Sequence, residues 1–128
     1  MSTRHAIATP HAPAALGPYS QAIRHGDLLW CSGQLGLDPV TGALRDGVVA
    51  QTEQALVNLE SVCRAAGTEL TRAVKVSVFL VDMADFSAMN EVYQRHFQQP
   101  FPARSTIQAA ALPKGGRGEI DAVVTIEC

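Results

Sequence analysis

Apolar residues along this chain change period several times, and those changes predict its elements. From about Val49 to Ala66, the positions Leu56, Leu59, Val62, Cys63 and Ala66 recur at helical spacing, and Gly67 stands where a C-terminal cap is expected. Val74 to Leu80 alternates instead, with Val74, Val76, Val78 and Leu80 on one side and Lys75, Ser77 and Phe79 on the other, the period of a strand. A second helix is predicted after Asp85 as its N-cap, with Phe86, Met89, Tyr93 and Phe97 as one stripe ending before Pro100. That stripe reads as core and not as a ligand-binding face. Arg104 to Ala110 and Glu119 to Glu127 fit two closing strands joined by a loop through Pro113-Lys114-Gly115-Gly116-Arg117-Gly118. Upstream, Ser20 to His25 and Leu28 to Ser32 read as a hairpin turning at Gly26-Asp27. A second turn, Asp38-Pro39-Val40-Thr41-Gly42, follows Gly33-Gln34-Leu35-Gly36.

The order hairpin, helix, strand, helix, two strands predicts an α+β domain spanning 1–128, a mixed sheet with two helices packed on one face. The last strand sets Ile120, Ala122, Val124 and Ile126 against Asp121, Val123, Thr125 and Glu127, so the other sheet face is only partly apolar. A partly apolar face without helices of its own favours closed oligomerisation.

Composition narrows the function classes. Hydrophobic residues make up 47% and charged residues 17%, a globular balance poor enough in charge to suggest self-association. A net charge of -2, with ten scattered Lys and Arg, gives no electrostatic footprint for nucleic acid or anionic membrane. No apolar run has the length of a signal peptide or a bilayer span, so a cytoplasmic protein is expected. Cys31, Cys63 and Cys128 are odd in number, far apart and without a CxxC pair, and read as free thiols. His5, His11, His25 and His96 lack metal-ligand spacing, so surface or loop roles are expected of them and not metal ligation.

The candidate chemistry centres on Phe101-Pro102-Ala103-Arg104-Ser105-Thr106, followed by Pro113-Lys114 and Glu119-Ile120-Asp121. Arg104 offers a planar fork of donors that stays charged near neutral pH, and Pro102 restricts the backbone leading to it. That suits bidentate capture of a small carboxylate, although an ordinary surface or ion-paired arginine fits the same residues. Glu119, at the start of a strand after a glycine-rich loop, reads by itself as a solvated strand-end carboxylate.

Gly17-Pro18-Tyr19-Ser20-Gln21-Ala22, Ser32-Gly33-Gln34-Leu35-Gly36-Leu37-Asp38-Pro39, Asn58-Leu59, Ala66-Gly67, Val78-Phe79-Leu80, Asn90-Glu91-Val92-Tyr93, Phe101-Pro102-Ala103-Arg104-Ser105 and Leu112-Pro113-Lys114 occur in this order over nearly the whole chain. Together they resemble the RidA (YjgF-type) family of reactive intermediate deaminases. The resemblance implies a chorismate-mutase-like fold and a cytoplasmic homotrimer with sites between subunits. It also implies cofactor-free hydrolysis of 2-imino acids and 2-enamines, such as 2-aminoacrylate, to 2-keto acids and ammonia, a form of metabolite damage control. By position it implies Arg104 as carboxylate anchor and Glu119 as the water-handling group, the two catalytic residues, with Tyr19, Ser32, Gly33, Asn90 and Thr106 as further substrate-binding residues. Two departures bear on rate and substrate preference: Thr106 stands where many active members carry cysteine, and Gly118 where an apolar strand residue is common.

Two other readings use the same residues. A small carboxylate or keto-acid sensor would keep Arg104 but gain nothing from a second carboxylate at Glu119 beside its anionic ligand. An endoribonuclease or translation-inhibitor activity, described for some relatives, would call for a basic, aromatic-interleaved surface that this acidic chain lacks.

Overall fold

The computed structural model describes residues 3–127, so the free-thiol expectation for Cys128 lies outside the described residues. Six strands form one mixed sheet: β1 (His5–Ile7), β2 (Ala22–His25), β3 (Leu28–Leu35), β4 (Ala73–Leu80), β5 (Ala103–Gln108) and β6 (Gly118–Thr125), in the order β1-β2-β3-β6-β4-β5. β4 and β5 run parallel, as a crossover through a helix requires, and every other pairing is antiparallel. The two helices are α1 (Gly47–Ala65) and α2 (Phe86–Gln94). No helix among the described residues is long and apolar enough to cross a membrane.

Alternation decides which sheet face is covered. Val76, Val78 and Leu80 of β4 and Ile120, Ala122 and Val124 of β6 are buried with Leu56, Leu59 and Val62 of α1 and Met89 and Val92 of α2. Removal of this apolar surface from water is the main force holding both helices to one face. The opposite face carries the other set, including Phe79, Asp121 and Val123, with Trp30 and Ile107 exposed at 51% and 53%. α1 ends as its sequence predicts: Gly67 takes a left-handed φ of 82°, and the Thr68 amide returns to the Cys63 carbonyl at 3.0 Å.

Three local expectations are corrected. Val74 does not face inward with Val76, because a register shift between Ala73 and Lys75 on β4 turns it outward, where it is 46% exposed. Asp85 does not cap α2 with its side chain; Asp82 caps the preceding 3₁₀ turn, accepting from the Ala84 amide at 2.9 Å, while Asp85 accepts from Arg117 at 2.7 Å. The strand β1, too short and too exposed to show a period in sequence, adds an edge to the hairpin.

Candidate active site

The expected site residues fall into two groups on one chain. Arg104 pairs with Val76 in the β4–β5 register, which turns its side chain to the helix side of the edge strand. There Arg104 Nη1 donates to Asn90 Oδ1 at 2.7 Å, and its Cζ lies 4.6 Å from the Tyr93 ring centroid and 5.6 Å from that of Phe86. A cavity of about 400 Å³ opens beside this cluster, lined by Asn90, Tyr93, Gln94, Phe101, Pro102 and Arg104. Thr106 follows two residues along the same side of β5, opposite Val78, and its Oγ1 is buried without a hydrogen-bond partner among the described residues.

Glu119 pairs with Phe79 and Leu35, so it faces the uncovered side of the sheet. It shares a cleft of about 460 Å³ with Tyr19, Gly33 and Lys114, whose apolar wall includes Leu16 and Val40. Burial first, and Asp121 on the same face second, push the Glu119 carboxyl above the usual carboxylate range. A carboxylate so placed is a better proton acceptor near neutral pH than an exposed one. Ser32 is half-buried, and its hydroxyl donates to the Ser20 carbonyl at 2.6 Å, which ties the segment carrying Tyr19 to β3.

Several residues that shape this cleft were given no role in the sequence, although Asn58 and Gln21 stand in motifs of the resemblance. Asn58, fully buried on α1, donates to the Leu35 and Leu37 carbonyls at 3.2 and 3.0 Å and so anchors the chain leaving β3. Gln51 holds the loops on either side, donating to the Arg45 carbonyl at 3.0 Å and accepting from the Arg117 amide at 2.8 Å. Gln21 clamps the N-terminal segment in the same way, through the Thr9, Ala12 and Pro13 carbonyls and the Thr9 amide. The physical sequence signal for them is a polar residue at a position the helical or strand period assigns to the core. Tyr93 and Phe86 were legible as an apolar stripe, but not as the surface on which Arg104 lies.

Residues 9–126 match the family described as Endoribonuclease L-PSP. The 2-iminobutanoate/2-iminopropanoate deaminase of Capra hircus is 52% identical over 94% of this chain and 88% of its own length. The chain belongs to the RidA family. Among solved structures, RidA from the Antarctic bacterium Psychrobacter superposes with a TM-score of 0.93 at 48% identity, covering 95% of this chain and 99% of that one. TdcF of E. coli, solved with bound serine, superposes with a TM-score of 0.91 at 36% identity, covering 96% and 99% of the two chains. The RidA fold is thus present, with Arg104 and Glu119 on opposite faces of its sheet.

Proposed function

We propose that this protein hydrolyses 2-imino acids and their 2-enamine tautomers to 2-keto acids and ammonia, in a closed homotrimer whose sites are completed between neighbouring copies. The observation that carries the composite site is the separation within one chain: Arg104 lies on the helix side of edge strand β5, and Glu119 on the uncovered face of β6, with β4 between them. One substrate cannot bridge the sheet, whereas a heterologous contact brings the Arg104 patch of one copy to the Glu119 cleft of the next. Repeated around an axis, that contact closes a ring. The exposed Trp30 and Ile107 on the uncovered face supply apolar surface for it.

In this site the fork of Arg104 holds the substrate carboxylate, since its one side-chain acceptor among the described residues is Asn90. The iminium carbon is already electrophilic, so positioning and proton transfer suffice. Glu119 takes a proton from water as its oxygen bonds to C2. The proton passes to nitrogen, the new C2 hydroxyl gives its own proton to Glu119 as the C=O forms and the C–N bond breaks, and that proton is taken up by the departing ammonia, so the keto acid and ammonium leave. Tyr19 and Gly33 line the space for the substrate side chain, and Thr106 borders the anchor. The activity suits a cytoplasmic role in clearing imines released by amino-acid-eliminating enzymes.

The test is conversion of 2-iminobutanoate, generated in situ by an amino-acid oxidase, to 2-oxobutanoate faster than the spontaneous reaction, with a trimeric mass by light scattering. Binding of keto acids without acceleration would replace the deaminase by a carboxylate sensor, and a monomeric mass would remove the composite site.

A further inference from the structure

Arg104 is held before any ligand arrives, and one of the residues that hold it lies outside the expected site set. Asn90 fixes one guanidinium nitrogen at 2.7 Å, but a single hydrogen bond leaves the plane free to swivel. The guanidinium also lies over the Tyr93 ring, whose centroid is 4.6 Å from Cζ, nearer than the 5.6 Å of Phe86. Tyr93 is 5% exposed, and its own ring is stacked on Phe97 at 4.4 Å and 29°, so the support under the guanidinium is rigid. Arginine stacks on aromatic faces by cation–π attraction, and a stacked fork loses less freedom on capturing a carboxylate. The Tyr93 hydroxyl makes no hydrogen bond among the described residues, so it is the ring face that Arg104 meets.

We infer that Tyr93 is a positioning residue for the carboxylate anchor: its ring face, and not its hydroxyl, holds Arg104 in the orientation that meets a 2-imino acid. The inference rests on the deaminase reading above, deepening it by one residue. It predicts that the face can be exchanged for another aromatic face and cannot be exchanged for an aliphatic side chain of similar volume. It also predicts that the contribution passes through the planar guanidinium and fades when position 104 carries an ammonium.

The experiment measures the Kd of 2-oxobutanoate by calorimetry and KM and kcat for 2-iminobutanoate, with thermal midpoints recorded beside them. Tyr93→Phe is expected to bind within twofold of wild type and to unfold no earlier. Tyr93→Leu should raise Kd and KM about tenfold with kcat within about threefold, and Tyr93→Met, which fills more of the space, should do the same if the leucine variant fails to fold. In an Arg104→Lys background, the cost of Tyr93→Leu should shrink to about twofold or less. Three results overturn the inference: leucine and methionine variants that bind like wild type, a phenylalanine variant as weak as they are, or a cost undiminished by Arg104→Lys. If Arg104→Ala leaves Kd unchanged, the anchor itself is wrong and the functional reading fails with it.

Discussion

The carboxylate of Glu119 lies directly against the backbone of Gly33: a Cβ built at position 33 would stand 2.9 Å from both Cδ and Oε2 of that side chain. No side chain at position 33 is compatible with Glu119 where it lies, although the carboxylate, as the end of a flexible side chain, has room to yield. Gly33 therefore leaves the Glu119 carboxylate room to stand where it does.

Gly33→Ala is expected to displace the Glu119 carboxylate and leave the fold intact. Imine hydrolysis should fall about 10- to 100-fold, mostly in kcat, because a misplaced general base loses both its own contribution and that of positioning. The thermal midpoint should change little. A variant with wild-type kcat would show that the location of Glu119 is not critical.

The pH dependence follows from the direction of the Glu119 shift. Burial and then Asp121 raise its carboxyl in the folded protein, and the ionised form accepts the proton, so activity is lost as pH falls through a value above the ordinary carboxylate range. Asp121→Asn removes a like charge and should move this acid limb to lower pH in a rate profile. Stability runs the opposite way. A group with a raised folded pKa favours the fold in its protonated form and loses that contribution as pH rises, so Glu119→Gln should gain stability over wild type at neutral pH and lose the gain on acidification.

The helices and most strands were legible in the sequence because burial on one face imposes a period. The heptad-like spacing of Leu56, Leu59, Val62 and Cys63 and the alternation from Ile120 to Ile126 are direct imprints of the shared core. The positions of Arg104 and Glu119 were legible through resemblance, and their division between two faces was not. That division depends on the parallel register Val76 to Arg104 and the antiparallel register Phe79 to Glu119, and registers between distant segments leave no local pattern. Asp85 is turned from its expected cap for a similar reason: Arg117, from a distant loop, engages its carboxylate instead.

Asn58 gives a stability prediction. Its amide satisfies the Leu35 and Leu37 carbonyls from a fully buried position, so Asn58→Leu strands both acceptors against an apolar side chain. The expected loss is about 2–4 kcal/mol from urea unfolding, with the chain around the Glu119 cleft exchanging its amides faster. A neutral substitution would mean that water reaches those carbonyls.

Lys114 supplies the opposite sign. It is the one non-glycine among the described residues with a positive φ, at 58°, directly before Gly115 at 72°. Lys114→Gly relieves a left-handed backbone and should raise stability by up to about 1 kcal/mol, measured as a higher thermal midpoint. A lower midpoint would show that the lysine side chain stabilises the loop by more than the strain costs.

The composite site is tested most directly by mixing two inactive variants. Arg104→Ala and Glu119→Gln are each expected to be nearly inactive as pure assemblies. Unfolded together in equal amounts and refolded, they form mixed rings in which an intact Arg104 of one copy meets an intact Glu119 of the next. Random assembly of a trimer restores about a quarter of the sites, so about a quarter of wild-type imine hydrolysis should return. No recovery above the pure variants, in mixed trimers verified by mass, would contradict the account, because it would place Arg104 and Glu119 in the service of the same copy or of different reactions.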